Sequence, residues 1–182
     1  MCPSGRHDGP VKPAKHPRTD DGATPSPPQN SAQAKVPTNL PGDAARVGRV
    51  VRETKETQIE ATLTLAGGRL SADFEWLGFF GHMLNALVTH AGFGLDLKVK
   101  GDKFVDWHHT VEDVGLALGE ALAQALGDYS GHARFGWALV PMDEALAEAA
   151  VDAGRRPYLH FAVDWPQPVT GTFDLCLVEE FF

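Results

Sequence analysis

The residues of this chain best equipped for chemistry stand together at 106–113, DWHHTVED, where two adjacent imidazoles are followed by two adjacent carboxylates. If this stretch opens a helix, His108 and Glu112 lie four apart on one face and His109 and Glu112 three apart. The two imidazoles then diverge by roughly 100° about the helix axis. Rings so arranged do not easily chelate one ion together. The spacing suits two separate metal centres, or one metal and one substrate contact, and a mixed imidazole and carboxylate set suits zinc, iron or manganese. A plainer alternative is a first helical turn whose acidic groups complement the helix dipole and whose histidines are merely solvated. The local pattern leaves both open.

Further imidazoles come from GHMLNALVTH, where His82 and His90 lie eight apart, about two helical turns, and flank apolar positions. A lone histidine beside a core helix is more often structural than ligating. Arg134 in ARFG and Arg156 in GRRPY are candidates for a phosphate or carboxylate clamp, because a guanidinium fork matches such groups with two hydrogen bonds. No GxxxxGK[ST], GxGxxG or GxSxG string occurs, so nucleotide-binding and serine-hydrolase readings have no support.

The elements that must position these groups are legible from periodicity. In RVGRVVRETKETQIEATLTL, Ile59, Ala61, Leu63 and Leu65 alternate with polar residues, which marks a half-buried strand with a Val- and Thr-rich hairpin neighbour before it. GFFGHMLNALVTHAGF sets Phe80, Met83, Leu84 and Leu87 at helical spacing with Gly92 as the stop. LDLKVKGDKFVDW alternates again as a strand. A long amphipathic helix follows from His108, using Val111, Val114, Leu118, Leu122 and Leu126 before Gly127. ARFGWALV, ALAEAAVDAG and the run through YLHFAVDW read as new strands, and TFDLCLVEEFF as the opening of a helix. The class is α+β. Phe181 and Phe182 need something to pack against, and the apolar face of LCLVEEFF is expected to stay open to water or association.

Composition bounds the rest. Nine of the thirteen prolines fall in the first 42 residues, which hold no aromatic residue, so residues 1–44 are expected to be a disordered extension and 45–182 the folded domain. A net charge of −8 argues against general nucleic-acid binding, since that affinity rests on Lys and Arg displacing counterions. The sequence shows no apolar run of transmembrane length and no apolar signal core, so no membrane partner and a cytoplasmic location are expected.

Taken in order, RETKETQIEATLTL, GFFGHMLNALVTHAGFGLDLKVKGD, DWHHTVEDVGLALGEALAQALGD, ARFG, VPMDEALAEAAVDAGRRPYL and LVEEFF resemble the imidazoleglycerol-phosphate dehydratases of histidine biosynthesis, over about residues 46–182. The resemblance implies two similar half-domains with helices packed between two β-sheets, the second half incomplete here. It also implies a 24-subunit homo-oligomer, a small phosphate-bearing substrate and two manganese ions. By the same match His82, His108, His109 and Glu112 are metal ligands, His90, Arg134 and Arg156 bind substrate, and Glu56 does acid–base work. The implied activity is the dehydration of imidazoleglycerol phosphate to imidazoleacetol phosphate; the alternative is a noncatalytic, truncated or decayed member serving as a metal-binding or assembly subunit. Gly81 stands where the family carries an aspartate and Trp107 where it carries a second acidic residue, and LAGGRL is a reduced form of its LDGTG turn. The family's second His-His-x-x-Glu run, a further ligand histidine and a substrate-binding lysine are expected beyond LVEEFF. Two ions of about four ligands each would thus be filled only in part by this chain's four donors.

Overall fold

In the computed structural model residues 46–73, 78–101 and 106–182 are described; the proline-rich extension expected to be disordered lies outside them. β1 (Val47–Glu53) and β2 (Thr57–Thr64) form the expected antiparallel hairpin. β4 (Gly94–Gly101) adds antiparallel to β2, and β3 (Leu70–Asp73) adds parallel to β4, giving the sheet order β1-β2-β4-β3. The parallel pair is joined by α1 (Gly78–Ala91), as a parallel connection requires a crossover. β3 had no clear signal in the sequence: it is four residues long, follows a turn with two glycines, and buries none of its side chains fully.

Alternation sorts the sheet into two faces. Ile59 lies opposite Val99, Ala61 opposite Leu97 and Leu63 opposite Leu95, and all six are buried. Glu60 and Lys98 face each other on the solvent side, paired at 2.9 Å. A register slip of one residue would exchange these faces, so the apolar pattern specifies the pairing. α2 (His108–Leu126) lies against β1 and β2 on the buried side through Val111, Val114, Ala117, Leu118 and Ala121. It comes so near β1 that a Cβ on Gly48 would sit 1.8 Å from the Ala121 carbonyl oxygen; only glycine fits there. On α1 the buried stripe is Phe80, Leu84 and Val88, one turn apart. Met83 and Leu87, expected in the core, are instead half exposed.

The C-terminal segment departs most from expectation. β7 (Val169–Thr170) and β8 (Phe173–Asp174) form a short hairpin, and α3 (Leu177–Phe181) follows. Phe173, Leu175 and Leu177 are buried, and the Phe80 ring stacks on Phe173 at 5.8 Å and meets Phe181 edge-on at 5.6 Å. The apolar face of LCLVEEFF therefore finds its cover within the chain, on α1 and α2, and only Phe182 remains exposed. The unburied apolar surface lies elsewhere. β5 (Phe135–Met142) and β6 (Ala145–Asp152) pair as a two-stranded ribbon with no buried residue. Residues 155–168 form no strand, although YLHFAVDW alternates as one; a strand needs a neighbour to complete its ladder, and this run pairs with neither edge of the ribbon. Among the described residues the α+β class is realised as one helix-covered sheet, two ribbons and α3, with no helix long and apolar enough to cross a membrane.

Candidate active site

α2 begins at His108, where the sequence places it. Its first turn is held from several directions. The Asp106 carboxylate accepts the His108 amide at 2.9 Å, and the Val111 amide donates to the Trp107 carbonyl at 2.9 Å, closing the first helical bond. Thr110 is buried against the end of β4, where a Cβ on Gly101 would meet its hydroxyl at 2.0 Å. On this seat the two imidazoles diverge as the spacing predicts: the rings of His108 and His109 are 5.8 Å apart with their planes at 81°. His108 Nε2 lies 3.8 Å from Glu112 Oε2, with both side chains partly exposed.

The next residue turns the other way. Asp113 is buried, about 100° around the helix from Glu112. Its Oδ1 accepts Arg52 Nε at 2.7 Å, and its Oδ2 accepts the Thr57 hydroxyl at 2.5 Å and the Thr54 hydroxyl at 3.4 Å. Burial acts to raise its pKa, but the hydrogen bonds from Thr57 and Arg52 and the Arg52 charge outweigh that effect and hold the carboxyl below its ordinary range. Arg52, Thr54 and Thr57 border the β1–β2 turn that carries Glu56, an exposed residue at its tip. Sequence reasoning singled out Glu56 and missed this support. The available signal was an acidic residue directly after the candidate ligand Glu112, together with two threonines flanking Glu56.

The remaining candidates lie apart. His82 and His90 are exposed on α1, away from its buried stripe. Arg134 precedes β5 and is gripped by Asp152 at the end of β6 through Nε at 2.6 Å and Nη2 at 2.9 Å. The hydrogen bond from Arg134, aided by its charge, holds the Asp152 carboxyl below its ordinary pKa. Beside this pair opens a cavity of about 330 Å³ lined by Tyr129, His132, Arg134, Ala153, Gly154 and Arg155. Arg155 lies over the Tyr129 ring at 5.2 Å, while Arg156, the residue chosen from sequence, is exposed and does not line the cavity.

Among the described residues no three His, Cys, Asp or Glu side chains come together to hold an ion. The donor chemistry of His108, His109 and Glu112 nevertheless suits manganese or zinc, and the 3.8 Å pair supplies two donors on one turn. The turn alone thus offers part of a donor set for such an ion.

Comparison with known proteins bears on the family and the fold. Residues 76–182 match the family model described as imidazoleglycerol-phosphate dehydratase. Similar curated proteins of that name include those of Gluconobacter oxydans, 55% identical over 139 residues that cover 76% of this chain and 70% of the relative, and of Methanosarcina barkeri, 48% identical over 137 residues, 75% and 72%. Among solved structures, the imidazoleglycerol-phosphate dehydratase of Staphylococcus aureus superposes with a TM-score of 0.63 at 32% identity, covering 74% of each chain. That of Pyrococcus furiosus, in complex with (S)-C348, gives 0.60 at 32% identity, covering 72% of this chain and 69% of its own.

Proposed function

This chain belongs to the imidazoleglycerol-phosphate dehydratase family, and we propose that it is a hydro-lyase of histidine biosynthesis that removes water from imidazoleglycerol phosphate to give imidazoleacetol phosphate. The observation that carries the reading is the seated first turn of α2, where His108 and Glu112 share one side and His109 diverges. The C–H bond to be broken is unactivated except by the adjoining imidazole ring, and no side chain removes such a proton unaided at neutral pH. Manganese held by His108, His109, Glu112 and His82 would, when bound, draw electron density from that ring. The chain's own groups do the rest. The Glu56 carboxylate, exposed on its turn, accepts and returns protons. His90 contacts the substrate, and Arg134 and Arg156 take its phosphate, supplying binding energy remote from the reacting carbon. A homo-oligomer, in which neighbouring copies bring donors to a shared site, fits the finding that these donors do not cluster within one chain among the described residues. The reading places the protein in the cytoplasm.

The noncatalytic alternative is not favoured: the curated relatives compared above carry the dehydratase name, and the His-His-x-x-Glu turn stands intact. The test is manganese-dependent dehydration of imidazoleglycerol phosphate by the purified chain. Turnover that is abolished by chelation and strongly reduced in Glu56→Gln is expected. Stoichiometric bound manganese without turnover would instead favour a metal-binding subunit.

A further inference from the structure

We infer that Asp113 is a positioning residue that fixes the turn carrying Glu56 to the helical turn carrying His108 and Glu112. The inference rests on the reading of Glu56 as the acid–base group. Among the described residues the Glu56 backbone is held through one hydrogen bond, its amide donating to Thr54 Oγ1 at 3.2 Å. The same oxygen accepts the Thr57 amide at 2.9 Å, and the Thr54 amide donates to the Thr57 carbonyl at 2.9 Å, so the turn closes upon Thr54 and Thr57.

Both hydroxyls lead to Asp113. Thr57 donates its only hydroxyl proton to Oδ2, and Thr54, with both amides on its lone pairs, donates to Thr57 Oγ1 at 3.0 Å or to the carboxylate at 3.4 Å. The two threonine hydroxyls and the amides of Thr54, Glu56 and Thr57 then each have an acceptor, and Arg52 balances the charge at 2.7 Å. The path from Glu112 to the Glu56 backbone is one peptide unit, one carboxylate and two hydroxyls. Because successive helical residues point about 100° apart, Glu112 can face the chemistry while Asp113 faces the sheet. A merely structural buried ion pair would need no threonines on either side of Glu56, whereas here Asp113 accepts from Thr57 and lies within 3.4 Å of the Thr54 hydroxyl.

The experiment compares Asp113→Asn, Asp113→Ala and Thr57→Val in the full chain. Thr57→Val keeps the side-chain shape and the carboxylate, and serves if the Asp113 variants fail to fold. Steady-state dehydration should show kcat lowered at least tenfold in Asp113→Ala and less in Asp113→Asn, with KM within about threefold and manganese stoichiometry unchanged. Adding Asp113→Asn to Glu56→Gln should cost nothing further, because the residue acts through Glu56. Independently of activity, the amides of Glu56 and Thr57 should exchange hydrogen about tenfold faster in Asp113→Ala or Thr57→Val, while those of Ile59, Leu97 and Val99 hold their protection. Full additivity with Glu56→Gln, or unchanged exchange at Glu56 and Thr57, would overturn the inference. If the parent chain shows no turnover, the dehydratase reading fails and the exchange measurement still decides whether Asp113 fixes the turn.

Discussion

The sheet β1–β4 and the ribbon β5–β6 are built from similar material, yet one is a core and the other is bare. Both pair antiparallel strands of seven or eight residues with matched registers. In the sheet, one face alternates to Leu, Val and Ile and is covered by α1 and α2. In the ribbon, Gly136, Ala138, Val140 and Met142 share a face with Ala145, Ala147, Ala149 and Val151, an uninterrupted apolar surface, and no residue of it is buried. Trp137 on the other face is 80% exposed. Hydrogen-bonded pairing alone therefore does not make a core; a layer must lie against the apolar face. The two regions also divide the candidate chemistry. Metal-type donors and the turn proposed for acid–base work stand on the packed half, and the cations proposed for phosphate stand on or beside the ribbon. An apolar face of this kind, left open, is the sort of surface through which chains associate.

The comparison can be broken first by truncation. Leu97 is fully buried, and Leu97→Ala should cost about 2–5 kcal/mol of unfolding free energy, whereas Leu139→Ala in the ribbon, half exposed, should cost under about 1 kcal/mol. Denaturant titration checks both, and equal losses would mean that the ribbon is packed in solution. Next, Gly48→Ala forces a methyl into the Ala121 carbonyl and should destabilise by about 1–3 kcal/mol, while Gly136→Ala, where nothing lies within 4 Å, should leave stability within about 0.5 kcal/mol.

Two predictions sharpen the division of chemistry. His108→Ala and His109→Ala should each lower bound manganese, read by metal analysis, with the apo-protein's stability changed by less than about 0.5 kcal/mol, since neither ring is part of the core. Arg134→Ala should weaken phosphate-bearing ligands by about tenfold and leave imidazole binding unchanged in titration calorimetry; equal weakening of both would remove it from the clamp. The smallest effect concerns pH. The Asp152 pKa is lowered by Arg134, so the pair's contribution is present above the ordinary carboxylate value and is lost as pH falls through the depressed one. Acidification should release the Arg134 side-chain signal in NMR without a detectable change in unfolding temperature, because both partners are exposed.

Much of this was readable from the chain alone. The β1–β2 hairpin, α1, β4 and α2 follow from two periodicities, 2 and 3.6, that local backbone geometry imposes. The divergence of His108 and His109 follows from adjacent positions on one helix, which no tertiary contact can alter. What lay beyond the sequence was every question of what covers what. Alternation in YLHFAVDW announces a strand but cannot supply its neighbour, and the apolar ends of LCLVEEFF do not say that Phe80 lies waiting a hundred residues earlier. Asp113 shows the same limit at the site. Its identity and its place beside Glu112 were visible, but its meeting with Arg52, Thr54 and Thr57, some sixty residues away along the chain, depends on α2 lying across β1 and β2. Periodicity is a local property that the backbone enforces residue by residue; partnership is set by the three-dimensional packing of distant segments, and only the tertiary structure decided it.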